Sequence, residues 1–147
     1  MTPYNFQALK AHAEGTSAHE CGHMTVLFKA RRLKKLTYFP YKTALDGIPG
    51  VIESTTVTEP TKEDCVAFAA SMIGELIALG ECDQERLLDD RQKVEQLANQ
   101  PLETFALEAY EIIKENLLFF VLLNKEVGNK MRSFLDEISE GGAHGGN

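Results

Sequence analysis

The chain has 147 residues, enough for one ordinary domain that buries a core without covalent or metal staples. Its 44% hydrophobic and 25% charged residues are typical of a globular protein, and a net charge of −7 speaks against a nucleic-acid partner. Three cysteines (Cys21, Cys65 and Cys82) make no paired framework, the first residues carry no basic-then-apolar leader, and the longest apolar run, Leu117 to Leu123, is far shorter than the roughly 20 residues needed to span a bilayer. The expectation is a cytoplasmic protein in a reduced setting, with no membrane segment.

Thr2-Pro3 reads as a helix start, followed by Phe6, Leu9 and Ala13 at helical spacing. Gly15 weakens or breaks that helix, and Thr16 or Ser17 can then cap a second one running to about Arg32. Glu20, three residues after Ser17, fits a capping box, which would commit its carboxylate to the cap. Leu36 to Phe39 and Val51 to Val57 read as strands, separated by the turn signals Asp46-Gly47 and Pro49-Gly50. Together they predict a small two- or three-stranded β-insertion. Pro60 to Asp64 opens a helix that Gly80 stops, and another helix runs from about Gln84 to Ala98. From Leu102 to Ile138 the pattern is helical, as one helix or as two with a break near Gly128. Leu117 to Leu123 is apolar on all sides, so it belongs either in the core or against another subunit. Residues 141–147 are glycine-rich and predict a disordered tail. The fold class expected is mainly α, a single domain over residues 1–140 with the β-insertion.

His19-Glu20-Cys21-Gly22-His23 carries the chemistry. Positions i and i+4 of a helix lie on one face, so His19 and His23 present two imidazoles to one point, as a tetrahedral zinc site requires. Glu20 lies beside them, placed to act as general base toward a water that zinc would activate. The bland alternative is a helix whose histidines are satisfied by core carbonyls and whose Glu is a cap. Two unligated imidazoles on so apolar a helix would be costly to bury. Gly22 in mid-helix costs about 1 kcal/mol, which makes sense if another backbone or a ligand approaches closely. Cys21 points off the metal face and reads as packing.

A third ligand is required, and Glu75, Asp83, Asp89 and Asp90 are candidates. On the helix from Gln84 to Ala98 the apolar stripe is Leu87, Val94, Leu97 and Ala98. Asp90 falls on this stripe, whereas Asp89 shares the wet face with Lys93 and Gln96. A carboxylate on a buried stripe needs a partner, and a metal is a good one. Asp90 is therefore the choice, against the alternative of a solvated Asp near Arg86.

Ala18-His19-Glu20-Cys21-Gly22-His23 resembles the HEAGH helix of the FtsH-type ATP-dependent zinc metalloproteases, with Cys at the usual alanine. Lys35 to Pro40 resembles that family's following strand, and Gly74 to Gly80 resembles its A-E-E-L-x-x-G helix with Gly74 in place of alanine. Asp90 to Ala98 resembles the helix that supplies its third ligand, an aspartate. The resemblance covers about residues 17 to 100. It implies a helical zinc-peptidase domain holding one zinc per chain through His19, His23 and Asp90, with Glu20 as catalytic base. The family's ATPase module and membrane anchor have no counterpart in these 147 residues, and its glycine-rich approach to the third ligand is replaced by Arg86-Leu87-Leu88-Asp89.

The expected function is an ATP-independent zinc metallopeptidase acting on peptides or unfolded protein, as a homo-oligomer or with an ATPase partner in trans. The alternative is a non-catalytic module of the same shape that binds a protein partner. The strand at Val51 to Val57 either pairs with substrate backbone or simply covers the core.

Overall fold

The computed structural model describes residues 6–39, 51–56 and 59–145. Helix α1 spans Phe6–Lys29 and runs without interruption through Gly15, where the sequence predicts a weakened or broken helix. The glycine is there for space: a β-carbon on Gly15 would collide with the Arg86 guanidinium. Ser17, expected as a cap, instead lies in mid-helix and donates through Oγ to Asn124 Oδ1 (2.7 Å). Glu20 is thus not part of a capping box. Thr2-Pro3, expected to start the helix, lies outside the described residues, as do the turn residues 40–50.

Two antiparallel strands follow, β1 (Leu33–Phe39) and β2 (Val51–Thr56), with Tyr38 opposite Ile52, Thr37 opposite Glu53 and an irregularity between Leu33 and Lys35. A short 3-10 turn, Lys62–Asp64, leads into α2 (Cys65–Leu79). Asp64 accepts the Thr61 backbone N–H (2.8 Å) and a fork from Arg32 (3.0 Å to Oδ1 and 2.7 Å to Oδ2), so the end of α1 is tied to the start of α2. Gly80, at φ 79, closes α2 in the left-handed conformation that only glycine adopts without strain.

Helix α3 (Gln84–Ala98) is capped by Asp83, whose Oδ1 accepts the Glu85 N–H at 2.9 Å. Its buried residues are Leu87, Asp90 and Val94, while Leu97 and Ala98, also expected on this stripe, are half-buried. A second 3-10 turn (Leu102–Phe105) enters α4 (Ala106–Glu115). The interruption before α5 (Leu117–Gly145) falls at Asn116 and not at Gly128. Asn116 turns its amide back onto the Ile112 carbonyl (2.8 Å). Gly128 remains helical, and a β-carbon on it would meet Ser17 Oγ only at an ordinary contact distance of 3.6 Å. The segment expected as a disordered tail is helical as far as Gly145, since extending an existing helix costs far less than starting one.

The core lies where α1 crosses α2, α4 and α5. Cys21, Met24 and Leu27 of α1 meet Ala69, Ala70 and Ile73 of α2, with Ile113 of α4 and Phe120 and Met131 of α5 completing it. The apolar run on α5 is divided. Phe120 is buried, whereas Leu118, Val121 and Leu122 face outward, Leu118 with 73% of its surface exposed. No helix among the described residues is long and apolar enough to cross a membrane.

Candidate metal centre

The site is built where α1, α2 and α3 meet. At their closest point α1 and α2 touch backbone to backbone. A β-carbon on Gly22 would run into the Ala70 carbonyl, and one on Gly74 into the Ala18 carbonyl. This contact sets α2 directly beneath the two histidines of α1.

His19 and His23 are buried, and their rings stand edge to face with centroids 4.8 Å apart. Each ring is oriented through Nδ1. His19 Nδ1 meets Glu75 Oε2 at 2.8 Å, and His23 Nδ1 meets the Ala67 carbonyl oxygen at 2.6 Å. Acceptors at both Nδ1 atoms hold the protons there and leave both Nε2 atoms as potential ligands. Those Nε2 atoms converge on one oxygen, Asp90 Oδ2, at 2.9 Å from His19 and 3.2 Å from His23. The three donor atoms all lie within 4.8 Å of one another.

An unprotonated imidazole nitrogen and a carboxylate oxygen repel each other, so contacts this short require something positive between them. That is either an extra proton on the ring or a metal ion. Ligands about 2.0–2.1 Å from a tetrahedral zinc stand about 3.3 Å apart, close to the Nε2–Oδ2 separations. The donor set, two imidazoles and a carboxylate, is also one that zinc takes in catalytic sites. The residues fit the ion.

The electrostatics of the side chains alone express the same convergence. Burial disfavours a charged His19, but its hydrogen bonds to Asp90 and Glu75 prevail and push its pKa up to about 9. His23 moves upward too, burial being outweighed by Asp90. Asp90 is driven well below the usual carboxylate range, because both histidines outweigh its burial. Burial pushes Glu20 upward, reinforced by the Asp90 charge and opposed by His23 and His19. Burial also pushes the Cys21 thiol up to about 12, against the Ser17 hydrogen bond, consistent with a packing role.

The four acidic candidates for a third ligand separate cleanly. Asp90 joins the histidines and also accepts from Ser71 Oγ at 2.9 Å. Glu75 stands behind His19, completely buried. Asp83 is the α3 cap, and Asp89 is exposed and paired with Lys93 (2.9 Å). Arg86, weighed in the sequence as a neighbour of Asp90, points instead to Glu75 Oε1. Sequence reasoning missed the Ser71 hydroxyl, the Ala67 carbonyl and this role of Arg86. Only the mid-helix Gly15, against which the Arg86 guanidinium lies, gave any sign of it. Glu20 follows His19 on α1, partly buried, and no described group donates a hydrogen bond to its carboxylate.

The chain matches no family model, no curated protein and no solved structure.

Proposed function

We propose that the chain is a zinc-dependent metalloendopeptidase, with His19, His23 and Asp90 as ligands and Glu20 as general base. The observation that carries this reading is the convergence of two Nε2 atoms, each freed by an acceptor at Nδ1, on the Asp90 carboxylate. One bound zinc supplies Lewis acidity, which makes water a nucleophile near neutral pH and polarises a carbonyl. The residues of the chain do the rest. Glu75 and the Ala67 carbonyl aim the imidazoles, and Ser71 steadies Asp90. The Glu20 carboxylate, unencumbered and adjacent, takes a proton from the attacking water and delivers it to the amide nitrogen as the C–N bond breaks.

The substrate in this reading is a peptide or an unfolded protein segment, with β2 supplying backbone hydrogen bonds as an edge strand. An unfolded chain reaches such a site without ATP, and folded substrates would need an ATPase partner in trans. The three cysteines are free, which suits a reduced cytoplasmic setting. A second reading, a non-catalytic module that binds a protein partner, draws support from the outward Leu118, Val121 and Leu122 of α5.

The test is zinc stoichiometry together with cleavage of unfolded casein or a peptide library by wild type, Glu20→Gln and His23→Ala. The peptidase reading expects one zinc per chain in wild type and Glu20→Gln, none in His23→Ala, and cleavage by wild type alone. Stoichiometric zinc with no cleavage of any substrate would turn the assignment to the binding module.

A further inference from the structure

We infer that Arg86 is a positioning residue for the metal centre, acting through Glu75 on His19; this rests on the metal-centre reading above. Glu75 is completely buried, and a carboxylate in that position needs its charge answered and its lone pairs occupied. Oε2 accepts from His19 Nδ1 at 2.8 Å. Oε1 accepts the Asp83 backbone N–H at 3.1 Å and Arg86 Nη1. Arg86 is the cation that pairs with Glu75, and its contact at Oε1 leaves Oε2 directed at His19.

The arrangement carries two local penalties that an ordinary surface ion pair would not need. Arg86 Nε is buried without a hydrogen-bond partner among the described residues. The guanidinium also occupies the space where a β-carbon on residue 15 would stand, so it lies against a glycine in the interior of α1, where glycine costs about 1 kcal/mol. The second Nη reaches toward His12 Nδ1 at 3.5 Å, holding the fork against α1. Arg86 also lies one helical turn before Asp90 on α3. Its anchorage to Glu75 therefore bears on two ligands: it holds the acceptor that aims His19, and it sets the rotation of the helix that brings Asp90.

Zinc affinity by chelator competition, and the visible absorption spectrum with cobalt in place of zinc, test this on the full chain. Partners that touch a ligand directly are worth about 10–100-fold in metal affinity, and Arg86 acts one bond further out, so Arg86→Met is expected to weaken zinc about tenfold and alter the cobalt bands. Arg86→Lys, which returns a charge to Glu75, should recover part of that loss. A residue with only a structural role would lower thermal stability and leave affinity and spectrum alone. A folded Arg86→Met protein with wild-type zinc affinity and cobalt spectrum overturns the proposal. If Arg86→Met does not fold, Gly15→Ala decides. Alanine suits a helix, and the atoms it displaces are the far end of the flexible Arg86. Weakened zinc binding there supports the proposal, and unchanged binding overturns it. Wild-type zinc binding that survives His23→Ala would instead remove the metal-centre reading itself.

Discussion

Gly22 of α1 and Gly74 of α2 lie face to face, so close that a β-carbon on Gly74 would stand 3.2 Å from the Gly22 Cα. The contact continues on both sides into carbonyl oxygens, Ala18 for Gly74 and Ala70 for Gly22. Backbone atoms cannot swing aside as a side-chain tip can. The helices must separate if either glycine gains a methyl group.

Gly74→Ala is therefore expected to destabilise the protein by about 1–3 kcal/mol, the usual range for overpacking, despite the better helix propensity of alanine, worth about 1 kcal/mol. Urea denaturation followed by circular dichroism measures the change. An alanine variant as stable as wild type would mean that the crossing is looser than described.

Glu75→Gln is expected to weaken zinc binding by about 10–100-fold while leaving the fold intact. Asp83 N–H and Arg86 Nη1 both donate to Oε1, so the amide of a glutamine would keep its oxygen there and turn its NH2 toward His19. His19 Nδ1 would then have to accept, moving the ring proton to Nε2 and blocking that ligand atom. Undiminished zinc affinity in chelator competition would contradict this.

The sequence made parts of this arrangement legible and hid others for physical reasons. His19 and His23 are joined by helical periodicity, and Asp90 stood out as a carboxylate on an apolar stripe; both are local patterns. Glu75 could be singled out only as one of four acids, because its contact with His19 spans 56 residues of chain. Gly15 and Gly128 are each a possible helix break that the fold does not use. Gly15 makes room for another element, the Arg86 guanidinium, and nothing in the local sequence reveals that neighbour. The real interruption, at Asn116, carries neither glycine nor proline.

Zinc should stabilise the folded state by mass action. At a free concentration 100 times its dissociation constant the gain is about 2.7 kcal/mol, read as a rise in thermal midpoint that a chelator reverses. His23→Ala should unfold at the same temperature with and without zinc. A zinc-dependent rise that persisted in that variant would place the ion elsewhere.

The clamp between Arg32 and Asp64 predicts a pH dependence away from the candidate metal centre. Burial works against the ionised Asp64 carboxyl, but the Arg32 fork and the Thr61 N–H outweigh it and hold its pKa below the usual value. A carboxylate with a lowered folded pKa contributes stability above its unfolded pKa of about 3.9 and loses it as pH falls through the folded value. Asp64→Asn should lower the urea midpoint at pH 7, and its gap to wild type should narrow below about pH 4. A gap of constant size across that range would argue against the charge as its source.

The two histidines differ in a way that bears on how the centre could change. His23 takes its orientation from the Ala67 main-chain carbonyl, an acceptor that no substitution of a side chain can delete. His19 takes its orientation from Glu75, and through it from Arg86 and Gly15, all of them replaceable. One imidazole is hard-wired and the other adjustable, so variation in this centre, by selection or by design, has its freedom on the His19 side.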